Sequence, residues 1–224
     1  MACIDCHVCP MPNHHLLRLV SFLVLFSGNP IAAIAKEPNA HDDFWASLQS
    51  HCGKAYRGQM VSDEAADADM RGVTMMIHVR ECSETQIKIP FHVQRTDGSW
   101  DRSRTWIFTR LHSQESSVLR LKHDHRHEDG KPDAMTLYGG VTIAPGSAAM
   151  QEFQVDAESI ALFKSEGRTA SVTNTWRVEV APANQAGGRF SYKLLRKAPH
   201  PRNFHVEFDL TQPISIPPAP WGSD

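Results

Sequence analysis

The sequence predicts a mainly β protein: an antiparallel barrel of about 8–10 strands with two short helices. Three observations predict it. Apolar and polar residues alternate in segment after segment, so each segment has one face to bury and one to wet. Most segments are joined by short polar turns, such as Thr96-Asp97-Gly98-Ser99 and Glu128-Asp129-Gly130-Lys131-Pro132, which favour antiparallel neighbours. Only two stretches carry helical spacing. A β-sandwich is the alternative arrangement of the same strands.

The first helix is expected to open at Asp42 and Asp43, whose charges suit a helix N-terminus. Phe44, Trp45, Leu48 and Cys52 then share one face, and Gly53 stops it. Strands are expected over 54–61, 72–80 and 84–94. In the last of these Ile87, Ile89, Phe91 and Val93 face one way, and Pro90 argues for an edge or a bulge. The segment 103–110 puts Trp106 and Phe108 on one face. The segment 117–127 puts Leu119, Leu121, His123, His125 and His127 together, and 134–139 is a candidate return strand. Asp156 is a good N-cap for the second helix, with Val155 and Ile160 spaced as a hydrophobic staple and Gly167 at its end. Three more strands, 171–180, 188–196 and 203–210, bury Trp176, Val178, Phe190, Tyr192, Phe204, Val206 and Phe208.

The chain of 224 residues carries 23 Lys+Arg against 25 Asp+Glu, a net charge of −2. That balance gives no electrostatic case for a nucleic-acid partner. No run of 18 or more apolar residues is present, so no transmembrane segment is expected in the mature chain. Nothing in the sequence specifies an oligomeric state.

Residues 11–35 combine His14, His15 and Arg18, a short apolar run over 16–26, and the small-residue site Ala33-Ile34-Ala35. These are the parts of a secretory signal, so a periplasmic or secreted protein starting at Lys36 is expected. Cys3, Cys6 and Cys9 precede that signal, which points to Met11 as the true start. The expected organisation is an extension and signal over 1–35, one β-rich domain over 36–212, and a proline-rich tail over 213–224. Two of the five cysteines, Cys52 and Cys82, remain after cleavage. In an oxidising compartment such a pair is expected to bridge.

The sequence contains no G-x-S-x-G elbow, H-E-x-x-H pair, phosphate-binding glycine loop or dinucleotide fingerprint. Its most unusual segment is His123-Asp124-His125-Arg126-His127. Alternate strand residues share a face, so His123, His125 and His127 are candidate metal ligands, with zinc the candidate ion. The other reading is a polar strand end at a barrel mouth. Trp106, Phe108, Trp176 and Phe190 are the candidate lining of a pocket for a small apolar ligand.

The order of helix, glycine and strands, carried by Gly53-Lys54-Ala55-Tyr56-Arg57-Gly58, resembles the calycin superfamily of small-ligand-binding barrels. Lipocalins place a Trp two residues after that glycine, and Ala55 stands there in this chain. The stretches CGKAYRG, HDHRHEDG and VEFDL are similar to those of an uncharacterised group of exported bacterial proteins. The calycin resemblance implies a small-ligand-binding barrel and no particular ligand, and the similarity to the bacterial group supplies no function. The expected function is an exported, noncatalytic binding or envelope protein. The alternative is a metal-binding protein or metal-dependent hydrolase built on the histidines.

Overall fold

A computed structural model describes residues 39–112 and 117–223. The expected export signal and the Cys3, Cys6, Cys9 run lie outside the described residues. Helix α1 (Ala40–Gln49) is followed by β1 (Ala55–Met60), β2 (Met75–His78), β3 (Glu81–Cys82), β4 (Gln86–Gln94), β5 (Trp100–His112) and β6 (Ser117–His125). After β7 (Tyr138–Thr142) and β8 (Met150–Val155) comes helix α2 (Ala157–Ser165), then β9 (Thr175–Val180), β10 (Arg189–Arg196) and β11 (Arg202–Ile214). Short 3-10 turns occupy Ala65–Met70 and Thr169–Thr173.

Ten strands close into an antiparallel barrel in the order β2-β1-β11-β10-β9-β8-β7-β6-β5-β4, with β4 pairing back to β2. The expected barrel is therefore the arrangement found, and the alternative sandwich is not. The small strand β3 pairs only with β4, beside the β2–β4 seam. Pro90 sits where the partner of β4 changes from β3, opposite Lys88, to β2, opposite Phe91, so no ladder donor is missed there. A register shift follows between Phe91 and Val93, which is the bulge the proline predicts. The barrel closes through β1 and β11, where Gly58 faces Phe208. A Cβ at Gly58 would stand 2.3 Å from both the Glu207 carbonyl oxygen and the Phe208 ring, so only glycine permits this seam.

The interior is a continuous apolar core of Ile87, Ile89, Phe91, Trp106, Phe108, Leu119, Leu121, Phe153, Trp176, Val178, Phe190, Tyr192, Val206 and Phe208. These are the inward members of the alternating pairs, with Phe153 added by β8. Helix α1 lays Phe44, Trp45 and Leu48 on one end of the barrel, all at 1% exposure or less. The Asn39 side chain caps it, accepting from the His41 N–H at 3.0 Å, so the helix starts two residues before Asp42. Helix α2 begins as expected at Asp156, whose carboxylate accepts from the Ser159 N–H at 2.9 Å. It lies outside the barrel over β7 and shields Lys122, whose ammonium pairs with Asp156 at 2.7 Å and Glu158 at 3.0 Å. That cover explains why an outward lysine is buried.

Two local expectations need correction, and one strand went unpredicted. The return strand after the His segment is β7 at 138–142, because Ala134 and Met135 belong to a turn. The first residues of the expected 171–180 strand form a 3-10 turn, and the strand starts at Thr175. The strand β8 was hidden because one of its two inward residues is Gln151, whose amide donates to the carbonyls of Pro145 and Ser147, each at 3.0 Å. The proline-rich tail lies on the barrel, with His92 donating to the Pro218 carbonyl at 3.0 Å and the Trp221 backbone N–H donating to the Arg102 carbonyl at 3.1 Å.

Cys52 and Cys82 have their sulfurs 2.00 Å apart, which ties the end of α1 to β3. No helix among the described residues is long and apolar enough to cross a membrane.

Candidate binding cavity

Antiparallel order places the start of β5, β7, β9 and β11 and the end of β6 and β10 at one end of the barrel, opposite α1. There the inward alternation continues, but the residues change character. Phe91, Trp106, Tyr192 and Phe204 supply aromatic walls, and His123, His125 and Tyr138 supply polar atoms. A cavity of about 160 Å³ lies between them, bordered by Arg104, Arg202 and Asp67. A larger hollow of about 600 Å³ opens on the outer face beside β1 and β11. Its walls are the outward Arg57, Gln59, Arg189, Glu207 and Asp209, and no aromatic side chain borders it. That lining is mostly polar, whereas the barrel-end cavity is mostly apolar and walled by aromatic rings, so the barrel end is the better candidate.

The polar groups of the cavity are wired by burial. His123, 3% exposed, has Nδ1 at 3.0 Å from the Tyr138 carbonyl oxygen and Nε2 at 2.7 Å from the Tyr192 hydroxyl. A carbonyl only accepts, so Nδ1 carries the ring proton and Tyr192 donates to Nε2. Burial pushes the His123 pKa down to about 3, helped by the neighbouring His125. His125 is pushed down to about 4, by burial first and by the Arg104 guanidinium second. Its Nε2 meets the Tyr138 hydroxyl at 3.1 Å. Burial raises the Tyr138 pKa to about 12 and that of Tyr192 well above its ordinary value. At neutral pH the inner wall therefore consists of uncharged imidazoles and phenols.

Charged groups border the cavity as pairs. Arg104 donates to Asp101 at 2.6 Å. Arg202 holds Glu64 and a bidentate contact with Asp67 at 2.7 and 2.5 Å. Glu64 and Asp67 belong to the connection between β1 and β2, so this pair fastens that connection beside the cavity.

The candidate metal ligands separate along the strand. His123 is inside with both nitrogens engaged, and His125 stands at the mouth. His127 is out on the rim, 3.6 Å from Asp133. Among the described residues no group of three or more His, Cys, Asp or Glu is placed to hold a metal. Of the four candidate pocket residues, Trp106 borders the cavity. Phe108, Trp176 and Phe190 are at 0–1% exposure in the packed core, and Phe190 stacks on Trp106 at 5.7 Å. Sequence reasoning missed Tyr138 and Tyr192 as site residues. Alternation gives Tyr192 an inward face, but its bond to His123 spans strands that are not neighbours.

Searches against known proteins found no matching family model, no similar curated protein and no similar solved structure. The closed antiparallel barrel is consistent in architecture with the calycin-like resemblance.

Proposed function

We propose that this is an exported, noncatalytic binding protein that holds one small molecule in the barrel end opposite α1. The observation that carries this reading is a cavity with aromatic walls and a few convergent polar atoms, in a barrel otherwise filled by side chains. The uncharged state of His123 and His125 keeps that wall free of a desolvated charge. The Ala33-Ile34-Ala35 site after an apolar run supports export, and the Cys52–Cys82 pair suits an oxidising compartment.

The test is calorimetric titration of the mature protein with phenol, toluene and aniline, alongside Leu194→Trp. Leu194 borders the cavity and is only half-buried, so a larger side chain there fills the space without entering the core. One-to-one binding by the parent that the filled variant loses is the expected result. Absence of binding by all three probes, or equal binding by both proteins, would overturn the reading.

A further inference from the structure

We propose that the ligand is an un-ionised phenol, a single aromatic ring whose hydroxyl donates to the Tyr192 oxygen. This rests on the binding reading above and goes beyond it by assigning the chemical class.

Size sets the first limit. The cavity of about 160 Å³ is close to the ~150 Å³ of an engineered apolar cavity that takes benzene. One ring fills it, and a fused or drug-sized molecule would have to reach out through the mouth. The walls of Phe91, Trp106 and Phe204 suit an aromatic face or edge.

Hydrogen-bond direction sets the second limit. The Tyr138 carbonyl fixes the His123 proton on Nδ1, and this obliges Tyr192 to spend its only proton on Nε2. The Tyr192 oxygen keeps acceptor capacity and has no proton left to give. Since Tyr192 borders the cavity, a ligand that reaches its hydroxyl meets it as a donor. An O–H is a stronger donor than the N–H of an aromatic amine. A phenol hydroxyl would extend the relay outward: ligand O–H to Tyr192 O–H to His123 Nε2, with His123 Nδ1–H closing on the Tyr138 carbonyl. Each bond in such a chain polarises the next.

Charge sets the third limit. Arg104 already pairs with Asp101, and Arg202 with Asp67 and Glu64. A charged ligand would lose its hydration without gaining an unpaired counter-ion among these groups. A phenolate, moreover, has no proton to donate to Tyr192.

The test compares phenol with toluene, which replaces the hydroxyl by a methyl of similar size. In the unmodified protein phenol should bind about fivefold tighter, near the typical net worth of one hydrogen bond. In Tyr192→Phe the preference should vanish or reverse while ring binding persists. Toluene binding as tightly as phenol in the unmodified protein would overturn the phenol assignment and leave ring binding standing. A phenol preference that survives in folded Tyr192→Phe would overturn it too. If that variant does not melt cooperatively, the phenol–toluene comparison in the unmodified protein decides alone. Binding of aniline alone would overturn the phenol assignment, and absence of binding by phenol, toluene and aniline would instead remove the binding reading itself.

Discussion

The two ends of the barrel carry the same buried device in different settings. At the α1 end His51 has Nε2 at 2.7 Å from the Ala181 carbonyl and Nδ1 at 2.7 Å from the Tyr56 hydroxyl. At the cavity end His123 makes the mirror arrangement with the Tyr138 carbonyl and Tyr192. Each imidazole gives its proton to a backbone carbonyl and takes one from a tyrosine. The surroundings differ. Helix α1 covers the first pair with Phe44, Trp45 and Leu48, and the disulfide pins the chain just after it. The second is bordered by a cavity and by a connection fastened through ion pairs. The left-handed backbone positions differ in the same sense. The turn at the α1 end uses Asn184 at φ 71°, a residue that tolerates it. The cavity rim uses Leu137 at φ 57°, exposed and apolar. Apolar packing holds one end shut, and polar contacts frame a space at the other.

The largest expected effect probes the packed end. Phe44→Ala removes a fully buried ring and should cost about 3–5 kcal/mol in urea unfolding. Leu194→Ala at the half-buried cavity wall should cost less than half as much. Equal losses would erase the distinction between the ends. Replacing both Cys52 and Cys82 by Ala comes next. Their sequence separation of 30 gives a chain-entropy loss of about 3–4 kcal/mol, visible as a lower unfolding midpoint.

At the cavity end, Arg202→Ala leaves Asp67 buried without its partner. A loss of about 2 kcal/mol is expected, since the pair is only partly buried. Faster amide exchange confined to residues 61–74 would locate the effect in the β1–β2 connection. Uniform exchange changes across the barrel would contradict that.

Acid sharpens the comparison further. Folded His123 and His125 stay neutral down to about 3 and about 4, whereas in the unfolded chain each takes a proton near 6.5. The unfolded state thus binds more protons in that window, so stability falls as pH drops from 6.5 toward 4. The slope approaches about 1.4 kcal/mol per pH unit for each histidine. Burial lowers the His51 pKa too, so both ends contribute. His123→Gln should flatten the stability–pH curve by about one proton, measured by urea unfolding at a series of pH values. An unchanged slope would mean that His123 is not held neutral. The smallest effect is Leu137→Asn, which should raise stability by about 0.5 kcal/mol by easing the left-handed strain at the rim.

Much of the barrel was legible from single residues. Alternation placed Trp106 and Phe108, Trp176 and Val178, and Phe190 and Tyr192 on inward faces, and all six are buried. Asp156 announced α2, and Pro90 announced the bulge, because capping and missing donors are local properties of the backbone. The strand β8 was not legible, since Gln151 occupies an inward position that only its carbonyl partners make tolerable. The tail was not legible either. Its docking depends on Arg102 and His92, which are remote in sequence.

The sequence by itself determined the strand faces, the two helices and the shared orientation of His123 and His125, because period and capping are set within a few residues. Only the tertiary structure decided that the strands close into one barrel, through β1 and β11 from the two ends of the domain. It alone brought Tyr192 of β10 to His123 of β6, across a barrel in which those strands do not pair. The character of the cavity follows from that contact. Which way a hydroxyl donates depends on every partner around it, and those partners meet only when the sheet closes.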